Sequence, residues 1–132
     1  MKLYITITCC FLLCLNAKSQ SIEKVKAKDA FEMVCNRDTL CTVLIDGRSD
    51  EMFTTKHIDG AININAFSDS VKNDLKNYLD AESIIVYCTN HKRADLIIEK
   101  LIELEYNKEI IFITDGINGW ISSGYKTVSH LK

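Results

Sequence analysis

Three apolar runs constrain the fold of this chain more than any other feature of its sequence. They fall within residues 42–45, 83–87 and 109–113. Apolar runs of this length without alternation are typical of strands that are buried on both faces. Amphipathic stretches with helical spacing lie between them, at 69–79 and 94–104. Strands that alternate with helices predict right-handed βαβ units and a parallel sheet covered on both sides.

Shorter segments complete this prediction. Asp29 is a candidate N-cap for a helix over 30–35, a short polar helix is expected over 50–56, and a brief strand over 61–64. The chain contains no proline, and no linker or internal repeat interrupts it after Gln20. We therefore expect one α/β domain with a central parallel sheet of about five strands and helices on both faces.

The N-terminal segment has the pattern of an export signal. An uncharged apolar run at 3–15 follows Lys2, and Ala17 and Ser19 supply small residues for a cleavage site. We predict a signal peptide over residues 1–19 and a mature domain over 20–132, exported to a periplasm or secreted. No stable membrane insertion is expected after cleavage.

Two alternatives remain open for this segment. A permanent membrane anchor is disfavoured because the apolar run is shorter than the roughly 20 residues that a spanning helix needs. Lipidation at Cys14 would require a small preceding residue, whereas Leu13 is bulky. The cysteines of the segment are interpreted as apolar filler.

The charge balance argues against nucleic-acid binding. Removal of Lys2 and Lys18 leaves 14 basic against 18 acidic residues, a net charge of −4. A protein that binds nucleic acid needs a basic surface to displace counterions from phosphates. Any anion site in this chain must therefore be local.

Chemistry-bearing residues follow the predicted strands. Asp46, Cys88 and either Thr114 or Asp115 lie at carboxyl ends, where ligands bind in parallel α/β sheets. A loop that enters a helix after Cys88 would aim backbone N–H groups and the positive helix end at its sulfur, which favours the thiolate. From this local pattern alone, an inert buried cysteine is an equally good interpretation.

Four stretches in order then resemble the rhodanese-like domain family. They are Val43-Leu44-Ile45-Asp46-Gly47-Arg48-Ser49 with Met52-Phe53, His57-Ile58-Asp59-Gly60-Ala61-Ile62-Asn63, Val86-Tyr87-Cys88 with Arg93, and Asp115-Gly116-Ile117-Asn118-Gly119-Trp120 with Gly124-Tyr125. The resemblance covers nearly all of residues 22–128. All five glycines fall inside these stretches.

The resemblance implies a sulfurtransferase. Cys88 would be the catalytic nucleophile that takes a sulfane sulfur from a small anion such as thiosulfate and holds it as a persulfide. The substrate-binding residues would be those of the active-site loop: Thr89, Asn90, His91, Lys92 and Arg93. Arg93 would bind the donor anion, backbone N–H groups from Thr89 to Arg93 would cradle the persulfide, and a thiol or cyanide would accept the sulfur.

The same resemblance assigns supporting roles to two residues, and the chain departs from the family pattern at two others. Asp46 and Arg48 are expected to support the loop as a buried ion pair rather than to perform chemistry. His91 stands where the family usually has glycine, so a positive φ there would store strain. Ala94 stands where serine or threonine is common. The six positions from Cys88 to Arg93 match the sulfurtransferase loop, which is one residue shorter than the loop of related phosphatases.

The remaining cysteines and histidines suggest no cofactor or metal. His57, His91 and His130 are scattered, and no Cys-x-x-Cys spacing occurs. In an oxidising compartment Cys35 and Cys41 would be able to pair, and two buried free thiols are an equally good prediction.

Two other functions compete with sulfur transfer. The first is a non-catalytic rhodanese-like module that binds a partner or senses redox state through Cys88, an alternative that His91 favours. The second is a thiol-disulfide oxidant, which the absence of a vicinal resolving cysteine disfavours.

Overall fold

A computed structural model describes residues 20–131, which form five strands and five helices in one α/β unit. In chain order these are β1 Ser21–Val25, α1 Ala27–Cys35, β2 Thr42–Asp46, α2 Asp50–Thr55, β3 Ile62–Asn63, α3 Val71–Lys76, β4 Ser83–Tyr87, α4 Lys92–Glu103, β5 Glu109–Ile113 and α5 Gly116–Ser122. The predicted signal peptide, with Cys14, lies outside the described residues. No helix within residues 20–131 is long and apolar enough to cross a membrane.

The strands form one parallel sheet in the order β1-β5-β4-β2-β3. Ile85 of β4 lies beside Leu44 of β2 on one side and beside Ile111 of β5 on the other. All five residues of β4 are buried. The central strand therefore places the residue that follows it in the middle of the carboxyl edge, with a neighbouring strand on each side.

Alternate residues of the strands feed two apolar layers. Ile84, Val86 and Phe112 pack on the side of α3 and α4, whereas Ile85 and Ile113 pack on the side of α1 and α5. Both layers are apolar because each strand of the interior is buried on both faces. The prediction of a parallel sheet of about five strands covered on both sides is confirmed.

The first strand was missed by the sequence prediction. Four of its five residues are exposed, and Glu23 and Lys24 break any apolar run. Its parallel pairing with β5 places it at the edge of the sheet, with Ile22 beside Ile110. Charged residues are common on edge strands, where they oppose pairing with other chains, so the strand carries almost no hydrophobic signal.

The start of helix α1 differs from the prediction, and a tertiary contact caps the helix there. Helix α1 begins at Ala27, three residues before the predicted start, and its N-cap is Lys26 rather than Asp29. The backbone N–H of Ala27 donates to the carboxylate of Asp115, 88 positions further along the chain, at 2.8 Å. This long-range acceptor satisfies one of the free N–H groups of the first turn.

Besides Cys88, the described residues contain two cysteines, and both are exposed free thiols. Cys35 ends α1 and Cys41 lies just before β2. They are neither paired nor buried, so the structure supports neither of the two predicted states. The charge of Asp38 raises the pKa of the Cys41 thiol.

Candidate functional site

Cys88 directly follows the last residue of β4 and lies in the centre of the carboxyl edge. Its side chain is 1% exposed and belongs to the apolar layer that contains Ala94 and Phe112. No hydrogen bond formed within residues 20–131 reaches its sulfur. In this conformation the thiol is therefore closed off from solvent.

The segment between Cys88 and α4 is shorter than predicted. Helix α4 begins at Lys92, two residues before the expected start at Ala94, and His91 is its N-cap. The φ angle of His91 is −141°, so histidine is accommodated there without left-handed backbone. The strain considered for this substitution is absent.

One of the expected backbone donors of the loop is already used. The N–H of His91 donates to the side-chain oxygen of Asn90 at 2.7 Å. This N–H is therefore not free to hydrogen-bond a bound sulfur. The side-chain amide oxygen of Asn90 therefore accepts a hydrogen bond from within the loop itself.

Two cavities open at the edge of the sheet on either side of Thr89. One, of about 400 Å³, is lined by Arg48, Ser49, Glu51, Met52, Thr55, Lys56, Thr89, Ile117 and Asn118. The other, of about 460 Å³, is lined by Met52, Phe67, Thr89, Asn90, His91, Lys92 and Arg93. We call them the α2 cavity and the loop cavity. Because only Thr89 and Met52 line both, these two side chains form the boundary between the cavities.

The loop cavity is positively charged at its wall. His91 and Lys92 are exposed, and Arg93 lies half-buried between Phe67 and the loop. The Arg93 guanidinium carbon lies 5.0 Å from the centre of the Phe67 ring, a cation–π geometry. No ion pair within residues 20–131 involves Arg93. The structure thus brings together the five substrate-binding residues predicted from the sequence.

Two residues of this cavity were not identified as site residues from the sequence. Phe67 is 59% exposed and Met52 is 40% exposed, so the mouth of the cavity is partly apolar. Met52 appeared in a recognised motif, although its position at the site was not predicted. Phe67 lies in an irregular segment after β3, and no sequence pattern points to it.

Residues 20–131 contain no group of three or more histidine, cysteine, aspartate or glutamate side chains arranged to hold a metal ion. The sequence model of the rhodanese-like domain matches residues 27–123, which is most of the chain. The protein belongs to the rhodanese-like domain family. No curated protein matches the chain in a sequence comparison.

Solved structures of rhodanese-like proteins share this fold. A rhodanese-related protein from Thermoplasma volcanium superposes with a TM-score of 0.65 at 24% identity, over 80% of this chain and 97% of that one. A thiosulfate sulfurtransferase from Pseudomonas aeruginosa gives a TM-score of 0.68 at 18% identity, over 84% of this chain but 21% of that longer one. At these identities the likeness shows the fold alone.

The first rhodanese-like motif forms a buried ion pair beside the site. Asp46 is fully buried and Arg48 is 4% exposed. The guanidinium donates through Nε to Asp46 Oδ1 at 3.0 Å and through Nη2 to Oδ2 at 2.6 Å. Arg48 also donates to the carbonyl of Lys56 at 2.6 Å, which ties β2 to the end of α2. Burial and then the charge of Asp46 raise the pKa of the neighbouring Tyr87.

The second rhodanese-like motif anchors the end of the described chain. His57 is 2% exposed, its Nδ1 lies 2.8 Å from the carbonyl of Phe53, and its ring stacks on Phe53. Its backbone exchanges two hydrogen bonds of 2.9 Å with Val128. These contacts tie the residue before Ile58 to α2 and to the segment near the end of the described residues.

The closing rhodanese-like motif holds the carbonyl side of the loop. The N–H of Ile117 donates to the carbonyl of Cys88 at 2.9 Å, and that of Asn118 to the carbonyl of Thr89 at 3.3 Å. Gly116 has φ +57°, and a Cβ there would lie 2.3 Å from the Cys88 carbonyl oxygen. Only glycine lets α5 approach the loop this closely.

Proposed function

We propose that this rhodanese-like domain is a sulfurtransferase that carries sulfane sulfur on Cys88. The observation that supports the proposal most directly is the six-position segment from Cys88 to Arg93, which joins a strand-end cysteine to the cationic wall of the loop cavity. Positive charge at a helix N-terminus and on neighbouring side chains attracts a small anionic donor. Family membership supplies the chemistry that such a site would perform.

The reaction is a double displacement. The Cys88 thiolate attacks the outer sulfur of thiosulfate, a new S–S bond forms, and the old one breaks, so that sulfite leaves with the electron pair. An acceptor thiolate or cyanide then attacks the outer sulfur of the Cys88 persulfide. The Cys88 thiolate is regenerated with the bonding pair of the persulfide.

Access to the sulfur requires a side-chain movement. Because Cys88 is 1% exposed and lines neither cavity, a donor in the loop cavity reaches its sulfur only after neighbouring side chains move. Met52 is unbranched and 40% exposed, and such a side chain changes rotamer readily. We therefore place the entry route at the boundary between the two cavities.

Intact mass spectrometry after incubation with thiosulfate tests the proposal. We expect one added sulfur atom on the protein and none on the Cys88→Ser variant. The matched control is a Cys35→Ser, Cys41→Ser double variant, which removes the two exposed thiols and should keep the uptake. Uptake that disappears in the double variant and persists in Cys88→Ser would overturn the assignment.

The role of Arg93 has its own test. Arg93→Ala should lower kcat/KM for thiosulfate by roughly tenfold or more, because a charge-assisted hydrogen bond to the donor is lost. Lys92→Ala, which removes a charge from the exposed start of α4, should have a smaller effect. Equal losses in the two variants would contradict a specific role for Arg93.

The alternative is a non-catalytic rhodanese-like module, and the burial of Cys88 is the observation that favours it. A sealed thiol behaves as a small apolar residue. In that case incubation with thiosulfate would add no sulfur to the protein. With thiosulfate and cyanide together, no thiocyanate would be released.

A further inference from the structure

A further cavity, of about 640 Å³, is formed by α1, α5 and the segments that follow these helices. Its wall includes Phe31, Cys35, Arg37, Trp120, Tyr125 and Lys126. We call it the α1–α5 cavity. It shares no lining residue with the α2 cavity or the loop cavity. Because Arg37 lies between the end of α1 and the start of β2, this cavity is near the amino edge of the sheet, whereas Cys88 is at the carboxyl edge. Cavities of roughly 300–1,000 Å³ are the size that small-molecule ligands occupy.

One part of the wall of the α1–α5 cavity is a cluster of three aromatic rings. Phe31 stacks on Tyr125 with ring centroids 4.0 Å apart, and Trp120 lies 5.6 Å from Phe31 and 5.1 Å from Tyr125. The indole N–H of Trp120 donates to the carbonyl of Lys126 at 2.9 Å, so it is not free for a ligand. The rings therefore present a mainly apolar surface, which an aromatic or aliphatic group would cover.

The other part of the wall carries an excess of positive charge. Arg37 and Lys126 line the cavity, and neither forms an ion pair within residues 20–131, whereas Asp59 is the one acidic residue of the lining. The guanidinium of Arg37 is held in place by two backbone carbonyls, since Nη1 donates to Val34 and Nη2 donates to Asp59 at 3.4 Å. Each of these nitrogens carries two hydrogens, so Arg37 keeps donors for a further acceptor.

We propose that the α1–α5 cavity is a second, non-catalytic site that binds a small molecule in which an apolar ring is joined to a carboxylate. The carboxylate accepts hydrogen bonds from Arg37, whose planar fork of donors matches two carboxylate oxygens. The apolar ring packs against Phe31 and Trp120. A neutral apolar molecule would leave the charge of Arg37 unused, and an inorganic anion would leave the rings uncovered, so the two parts of the wall together favour an amphipathic carboxylate.

The fluorescence of Trp120 measures binding directly, because the chain contains one tryptophan and it lines this cavity. Titration of the native protein with phenylbutyrate should give a saturable change in that fluorescence. Phenylbutanol has the same ring and chain without the charge, and it should bind roughly tenfold more weakly. A titration with phenylbutyrate that does not saturate, or equal affinity for the two probes, would overturn the inference. This comparison needs no variant, so it does not depend on the folding of one.

The Arg37→Gln variant tests the residue that binds the carboxylate. It should bind phenylbutyrate roughly tenfold more weakly than the native protein does, while its affinity for phenylbutanol should change less than about threefold. Arg93→Gln is the matched control, because it removes the other arginine without an ion pair within residues 20–131, at the opposite edge of the sheet. Its affinity for both probes should stay that of the native protein. Equal losses of phenylbutyrate binding in the two variants would contradict binding in the α1–α5 cavity.

The two exposed thiols locate the bound probe independently of fluorescence. Cys35 lines the α1–α5 cavity and Cys41 does not, although both are exposed and free. Saturating phenylbutyrate should therefore slow the alkylation of Cys35 by N-ethylmaleimide several-fold and leave the rate at Cys41 unchanged, as measured by peptide mass spectrometry. Equal slowing at both thiols, or at neither, would overturn the inference. None of these measurements involves sulfur transfer, so this inference and the proposed function can fail separately.

Discussion

Two arginines of the site differ in what holds them. Arg48 is buried against Asp46 and bonded to a backbone carbonyl, whereas Arg93 has no ion-pair partner within residues 20–131. A buried guanidinium that is already ion-paired and hydrogen-bonded within the protein is not free to bind a substrate anion. An arginine without a carboxylate keeps its charge available to an anion, which is the physical basis for proposing that Arg93, and not Arg48, binds the donor.

Because Arg48 forms a buried ion pair with Asp46, its removal should cause a large loss of stability. Arg48→Leu leaves Asp46 as a fully buried carboxylate without its partner, which should lower the free energy of unfolding by about 3–5 kcal/mol. Urea denaturation at pH 7 measures the change. The Arg93→Ala variant is the comparison, and it should lose much less stability. Equal losses would show that Arg93 also has a structural role.

At the scale of elements, the helices of the sheet's two faces are connected differently. Helices α1 and α5 are linked through the apolar layer and through the bond from Ala27 to Asp115. Helices α3 and α4 share an apolar layer too, but at the surface they are joined by charges. Lys72 of α3 forms an ion pair with Glu103 of α4, which is also bonded to Lys100 at 2.8 Å.

This surface pair predicts a small, pH-dependent contribution to stability. Hydrogen bonds from Lys100 and then Lys72 lower the pKa of Glu103 from 4.5 to about 2. The contribution is therefore present above about pH 4.5 and is lost as the pH falls toward 2. Glu103→Gln should lower the melting temperature by a few degrees at most at pH 7, because exposed pairs are weak.

The difference between Glu103→Gln and the native protein should shrink in acid and in high salt. Glu99→Gln is the control, since the one ion pair that Glu99 forms within residues 20–131 is with Lys100, at 3.5 Å. A Glu103→Gln effect that is independent of pH between 2 and 7 would mean that packing, not charge, explains it.

At the scale of the whole molecule, two buried tyrosines couple stability to alkaline pH. The hydroxyl of Tyr106 donates to the carbonyl of Ala81 at 3.0 Å, and that of Tyr87 accepts from the N–H of Ile58 at 3.0 Å. Burial, followed by the charges of Glu82 and Glu109, raises the pKa of Tyr106 from 10 to about 12. The folded protein therefore keeps protons that the unfolded chain releases.

We accordingly expect stability to fall as the pH rises from about 10 to 12. The contribution of Tyr106 is fully present below its unfolded pKa of 10 and is lost as the pH approaches 12. Tyr106→Phe cannot ionise, so its loss over this range should be smaller by about 1–3 kcal/mol. Urea unfolding of the native protein and of Tyr106→Phe from pH 8 to 12 measures this difference in stability loss. Parallel curves would contradict the assignment to Tyr106.

Much of the architecture could be predicted from local pattern. The strands β4 and β5 lie where their apolar runs predicted, and β2 extends only one residue further, to Asp46. Buried strands can be predicted from the sequence because their hydrophobic runs are local and continuous. The edge strand β1 could not be predicted, because its exposed charged residues carry no such signal.

That the loop residues lie together beside one cavity could also be predicted, since they are contiguous and follow one strand. Their state could not be predicted. Three features depend on packing around the loop. Cys88 is closed off from solvent, the N–H of His91 donates to Asn90, and Thr89 and Arg93 each have a buried polar atom without a partner.

The sequence by itself determined the alternation of strands and helices, the family motifs and the loop that follows β4. Only the tertiary structure decided the strand order, the early start of α1 against Asp115, and the closure over Cys88. The physical reason is the range of the interactions. Hydrophobic period and loop length act over a few residues, whereas burial and hydrogen-bond partners join residues as far apart as Ala27 and Asp115.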